Sequence, residues 1–419
     1  MNTASAAFVL GDGPRVVLQA RRFDRGVWRL PIYTATFLSK LAVPPFGAAG
    51  ISVAIPLICA ASAGAVLTGR MVIDTRRMLA YVALVAMLWV VQIAHSGIFS
   101  PSSMLLLTAL HIPYVLRMRR VPDYARVLEF FQSIALVIAM LGLIQYVVQF
   151  AVGPKLAFPI ENFFPEAFRV AAFNTQGYVT YGSNIFRTNG VFMLEPSFFS
   201  QFLAIGVVIE LITRRRVWAM AAMFVGMLVS YSGTGLALLG ACLVFLGVSQ
   251  KRWILLGSLA AAGVTVLAVA GLVGNVPYVS VFLARAGEFS SQGSSGFARF
   301  VGGFYMFDQF LWSDPVRALT GYGAGTFQQF SGRANYPVTG MALFKMVFEF
   351  GVVGAGIYFG FLWYCISRSA APAVLRVAVG LCYLLSGNYI PFAHGLAFTL
   401  LIWTAPLPAD RSTDVVAAA

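Results

Sequence analysis

Residues 186–197 read Phe-Arg-Thr-Asn-Gly-Val-Phe-Met-Leu-Glu-Pro-Ser and set a guanidinium, Arg187, ahead of a carboxylate, Glu195, at the mouth of an apolar run. Glu195 is expected about two turns inside a membrane span. A carboxylate at that depth costs several kcal/mol unless it is paired or wet, which makes it a functional candidate. Pro196 removes a backbone donor beside it and loosens the helix. The plainer reading is an Arg187–Glu195 ion pair that only holds the loop.

Three more groups carry chemistry. Arg285, Glu288 and the run from Ser291 to Arg299 combine guanidinium forks with Gly and Ser donors, a combination suited to phosphate oxygens. Taken alone, a solvated loop explains them as well. Gly321-Tyr322-Gly323-Ala324-Gly325 lacks the strand context and glycine spacing of a nucleotide loop, and reads as a tight turn passing close to the membrane or a ligand. Asn335 and Tyr336 precede Lys345 and Glu349, which share a helix face at i, i+4 within an apolar span. A structural ion pair accounts for those two equally well. The histidines His95, His111 and His394 are isolated, so no metal set can be built and no cofactor is implied. The cysteines, Cys59, Cys242, Cys365 and Cys382, fall inside apolar runs without metal or CxxC spacing and read as packing residues.

The elements that must position these residues are apolar. The chain has 419 residues, 59% hydrophobic and 11% charged, with mean hydropathy +0.81. Soluble domains carry about 25% charge. A bilayer-spanning helix needs about 20 mostly apolar residues, and unbroken runs such as 253–273 favour helices over barrel strands. The pattern predicts an all-α polytopic membrane protein of twelve spans, roughly 31–46, 48–68, 79–96, 102–117, 127–152, 190–212, 217–230, 235–249, 253–274, 340–366, 372–387 and 390–407. Lys40 and Pro44-Pro45 interrupt the first.

With the N-terminus in the cytoplasm, alternation puts 20 of the 29 basic residues in cytoplasmic segments. The short outer turns 95–102, 231–234 and 386–390 carry no Lys or Arg. Topology therefore accounts for the net charge of +14 without nucleic acid. Residues 1–30 hold five arginines and no compact apolar core, so the first span is expected to act as an uncleaved targeting signal. The organisation is a cytoplasmic segment 1–30, one transmembrane domain 31–407 with long outer segments 153–189 and 275–339, and a cytoplasmic tail 408–419. Segments this long are usually functional or disordered, and their aromatics favour order at the membrane surface. No internal repeat is visible.

Taken in order, these groups resemble the bacterial O-antigen ligase and Wzy-type polysaccharide polymerase superfamily over about 180–360. The resemblance rests on four elements. They are the Arg-x-x-Gly-x-Phe-x-x-Glu-Pro-Ser run from Arg187 to Ser197; Ser230-Tyr231-Ser232-Gly233-Thr234-Gly235; Ser295-Gly296-Phe297-Ala298-Arg299 followed by the glycine turn; and an Asn-Tyr segment leading to Glu349-Phe350-Gly351-Val352-Val353-Gly354. It implies a membrane glycosyltransferase fold in the bacterial inner membrane, with both termini cytoplasmic. The implied substrates are undecaprenyl-pyrophosphate-linked oligosaccharides and the implied partner is a chain-length co-polymerase. Residues 335–341 lack the histidine that ligases typically carry there, which favours a polymerase.

Under that resemblance, Glu195, Arg187, Arg299 and Glu349 are the catalytic candidates. Arg285, Tyr322, Asn335 and Lys345 are the substrate-binding ones, and Tyr322 and Trp312 are expected to stack on sugars. A ligase, or a flippase or transporter of lipid-linked oligosaccharide, stays open as the alternative.

Overall fold

In the computed structural model, residues 22–44, 51–93, 99–171, 173–179, 184–254, 290–385 and 391–405 are described, together with the single positions 257, 261, 265 and 287. Most of the predicted ninth span, 253–274, lies outside them, as do Arg285 and Glu288.

The described chain is mainly helical, with one two-stranded antiparallel ribbon and two isolated bridges. Three helices are long and apolar enough to cross a bilayer: α3 (Thr75–Ile93), α5 (Tyr124–Ala151) and α15 (Ala342–Ser367). Shorter apolar helices are α2 (Ala54–Leu67), α8 (Pro196–Ile212), α9 (Val217–Val229), α10 (Gly233–Ser249) and α16 (Ala373–Leu385). The remainder are α1 (Arg22–Phe37), α4 (Pro101–His111), α6 (Pro154–Ala157), α7 (Pro159–Phe163), α11 (Ser295–Phe300), α12 (Gly302–Met306), α13 (Pro315–Thr320), α14 (Phe327–Ser331) and α17 (Pro391–Ala397). β1 (Met71–Ile73) pairs with β2 (Leu116–Met118).

Connections distant in sequence are tied to one another. The β1–β2 ribbon joins the loops after α2 and α4, Arg77 Nη1 donates to the Ile402 carbonyl at 3.1 Å, and Arg214 pairs with Glu129 at 2.5 Å. The Val170 amide donates to the Lys40 carbonyl at 2.9 Å, the Ser100 amide to the Ala324 carbonyl at 2.8 Å, and the Thr339 amide to the Ala298 carbonyl at 2.8 Å.

Three expectations change. The first helix runs over Arg22–Phe37 rather than 31–46, and it carries charge because the Arg29 guanidinium lies 4.7 Å from the Phe130 ring centroid, a cation–π contact. The fourth span shortens to Pro101–His111, followed by a 3₁₀ turn and β2. The sixth begins at Pro196, so Glu195 stands at the position just before α8 instead of lying two turns inside it. The aromatic stretch of the first outer segment folds into α6 and α7.

α8 is buried along nearly its whole length, packed between α5, α9, α10 and α16. Its approach to α10 is backbone-close, since a Cβ on Gly235 would overlap both the hydroxyl and the carbonyl of Ser200. Alanine normally favours a helix over glycine by about 1 kcal/mol. At this contact the obstacle is backbone, which cannot rotate away, so Gly235→Ala is expected to destabilise by about 1–3 kcal/mol. Thermal unfolding in detergent checks this; an unchanged or raised midpoint would refute the close approach.

Candidate active site at the head of α8

Proline at the first helical position costs no hydrogen bond and presets the helical φ, so Pro196 starts α8 cleanly. Glu195 is left extended in front of it, φ −139°, ψ 158°, where the positive end of the helix favours a carboxylate. Three donors converge on its side chain. The Asn174 amide reaches Oε1 at 3.2 Å, Ser197 Oγ reaches Oε2 at 3.0 Å, and Arg299 Nη2 reaches Oε2 at 3.4 Å. A carboxylate offers about four acceptor sites, so one remains. The ion pair is not sealed: the two side chains are 20% and 17% exposed.

Arg299 is brought there by α11. Ser294 Oγ caps that helix by accepting the Phe297 amide at 3.0 Å, and the Ala298 carbonyl anchors it to the strand-like approach to α15. Beside it, Phe297, Tyr305 and Tyr336 form an aromatic cluster with centroids 4.8–5.8 Å apart, and Tyr305 is exposed.

The second sequence element closes the other side. Thr234 Oγ1 donates to the Ser197 carbonyl at 3.4 Å and shares a hydrogen bond with Ser232 Oγ at 2.9 Å. The runs around Glu195, Ser232 and Arg299 therefore meet at one place. Arg187 lies beside the isolated antiparallel bridge of Tyr178 with Phe186, its amide on the Gly177 carbonyl at 2.9 Å and its Nη2 on the Val179 carbonyl at 3.3 Å. Glu195 forms an ion pair with Arg299, a partner the sequence reading did not name for it.

Glu349 belongs to a separate, buried arrangement. Its side chain is 2% exposed, lies 4.0 Å from Lys345 Nζ, and accepts the Phe327 amide at 3.3 Å. The glycine turn docks directly on this helix, with the Tyr322 and Gly323 amides on the Phe348 and Glu349 carbonyls, both at 2.9 Å. The close approach expected of the turn is made to α15 itself. Glu349 is thereby committed to holding the turn.

Tyr322 is likewise taken up by packing. Its ring stacks on Phe348 at 5.0 Å, Arg317 lies 5.2 Å from its centroid, and its hydroxyl donates to the Phe310 carbonyl at 2.6 Å. Burial pushes its phenol pKa up, and the Arg317 guanidinium pulls the other way. Asn335 is exposed, with its amide on Gln309 Oε1 at 3.1 Å. Trp312 is also exposed.

Two groupings escaped sequence reasoning. Lys40, Glu161, Asn189 and Gln145 form a buried polar network that reaches the backbone of Val191. The one signal was a lysine interrupting an apolar run. His111 and His394, expected to be isolated, lie with ring centroids 5.2 Å apart in the core. Nothing in their local sequence announces this, because the two helices meet only in the fold.

No protein-family model matches the chain, and no curated protein matches it either.

Proposed function

We propose that this chain is a polysaccharide polymerase of the bacterial inner membrane. In this reading it has twelve spans and cytoplasmic termini, and its chemistry lies on the periplasmic face. The observation that carries the reading is the partly open Glu195–Arg299 pair at the head of α8, into which sequence elements far apart in the chain converge. An acid and a guanidinium held side by side beside exposed aromatics suit glycosyl transfer from a lipid pyrophosphate.

In the proposed reaction a hydroxyl of one lipid-linked repeat unit attacks the anomeric carbon of a chain carried on undecaprenyl pyrophosphate. The new C–O bond forms as the bond to the phosphate oxygen breaks, and undecaprenyl pyrophosphate leaves with the electron pair. The remaining acceptor site on Glu195 takes the hydroxyl proton. Arg299, with Arg187 and Arg285 as further cations on the same segments, offsets the charge that grows on the pyrophosphate. Lys345 and Glu349 support the framework, and Asn335 lies exposed for contact with a sugar. A chain-length co-polymerase is the proposed partner.

Cells lacking the chain are expected to accumulate single lipid-linked units on the outer leaflet and no polymer. Arg299→Ala, expressed at the normal level, is expected to restore less than about one hundredth of the polymer, the scale for removing one donor to developing negative charge. Units trapped on the cytoplasmic leaflet would instead mean a flippase. Normal polymer that never reaches its final acceptor would mean a ligase.

A further inference from the structure

The chain reaches Glu195 through a turn that ordinary residues avoid. Gly190 and Val191 have φ +65° and +68°. The Phe192 amide donates to the Gly190 carbonyl at 2.8 Å, which closes a three-residue γ-turn around Val191. A β-branched residue in the left-handed region is a steric outlier, and γ-turns of this sign are rare and strained. Such strain persists only where the surroundings over-determine it, and it gathers at functional sites.

The surroundings are explicit here. Lys40 Nζ donates to the Val191 carbonyl at 2.5 Å, across 151 residues of sequence. The Val191 amide lies 3.1 Å from Asn189 Oδ1 and 3.3 Å from Gln145 Oε1. Ser39, next to Lys40, donates from Oγ to the Phe192 carbonyl at 3.1 Å. Lys40 itself is buried, and Glu161 Oε1 supplies its counter-charge at 2.5 Å, bridged by Asn189 Nδ2 at 3.3 Å. A buried ion pair that served stability alone could be replaced by apolar side chains of similar volume at little cost. An apolar pair could not donate to Val191. The ammonium hydrogen on that carbonyl is the part of the arrangement that stability does not require.

Resting on the glycosyl-transfer reading, we propose that Lys40 is a positioning residue: it holds the strained Val191 turn and so aims Glu195 at Arg299 and the acceptor hydroxyl, without touching substrate itself. Glu195 lies four positions after Val191, so a loosened turn moves the carboxylate by the small distances to which catalysis is sensitive.

The test uses the full chain in vesicles and, as probe, the lipid-linked units extracted from cells lacking it. Lys40→Met alone leaves Glu161 buried without its counter-charge, so the deciding variant is the double replacement Lys40→Met with Glu161→Leu, which removes both charges together. Its kcat is expected to fall about 100-fold, the scale for a misplacement of roughly 1 Å, with KM little changed. Adding Val191→Gly to that double variant is expected to recover at least about tenfold, because glycine takes φ +68° unaided. Hydrogen exchange of the 189–195 amides is expected to speed up in the double variant, and this readout needs no activity.

Wild-type kcat in the double variant, or unchanged exchange across 189–195, would overturn the proposal. So would a failure of Val191→Gly to recover any turnover. If the wild-type chain transfers nothing from the lipid-linked units, the polymerase reading falls instead. Exchange then decides by itself whether Lys40 holds the turn.

Discussion

Glu195→Gln is expected to leave a folded protein that makes about 1,000-fold less polymer per molecule, the middle of the range for loss of a general base. Glutamine keeps the shape and one carbonyl oxygen, so with that oxygen toward the Asn174 amide its NH2 faces Ser197, whose hydroxyl can turn to accept. What disappears is the charge. Arg299 loses its ionic partner, and the acceptor hydroxyl loses the group that would take its proton. The pair is partly open to solvent, so its loss should cost little stability. Surface pairs are worth about 0–1 kcal/mol. Effect and control thus separate: thermal unfolding close to wild type, with turnover almost gone. Polymer made in vesicles from lipid-linked units measures the first, and detergent unfolding the second. Activity within tenfold of wild type would remove Glu195 from the chemistry. A large loss of stability would return it to the plainer reading of a loop fastener.

The contrast with Glu349 sharpens the assignment. Both are carboxylates beside a cation, and both stood as candidates on residue type. Burial separates them. Glu349 is 2% exposed and accepts the Phe327 amide, whereas Glu195 keeps a lone pair and an opening to solvent. Depth could not be read from hydropathy, because Val191-Phe192-Met193-Leu194 counts as apolar span although it is turn.

The same physics marks what was legible elsewhere. Uninterrupted apolar runs became helices nearly where expected, as in Val217–Val229 and Gly233–Ser249. There the span must satisfy its own backbone, and nothing competes with helix. The first span was misplaced because Arg22, Arg25 and Arg29 look like loop charge, yet they ride on α1 with Arg29 against Phe130. Convergence of Glu195 with Arg299 could be suspected only from the order of the motifs. The partners of Lys40 were invisible, since a buried charge names its need for a counter-ion but not the counter-ion.

Gly351→Ala is expected to be the most destabilising single substitution in α15 and the described residues 290–339 that dock on it. It should cost about 4 kcal/mol or more, beyond the range of ordinary point mutants. Gly351 interrupts α15 at φ +67°, ψ −178°, a region essentially reserved for glycine. A Cβ there would also overlap the Leu319 carbonyl and the Thr320 amide, both backbone. The break is tolerated at this depth because its freed carbonyls are satisfied. Tyr322 and Gly323 donate to the carbonyls of Phe348 and Glu349 at 2.9 Å, and Gln92 Nε2 reaches the latter at 3.4 Å. An alanine would force the helix either to straighten, which ejects the glycine turn, or to stay broken under strain with the turn pushed off. Both routes leave buried backbone groups unpaired, the costliest condition in an apolar environment. Gly356 lies five residues on in the same helix with nothing near its missing Cβ. Gly356→Ala should therefore hold or gain up to about 1 kcal/mol. Comparing the two variants by folded yield and unfolding midpoint isolates the break from glycine content as such. Equal stability of the two would mean that the break in α15 is dispensable, and with it the docking of the turn that Glu349 holds.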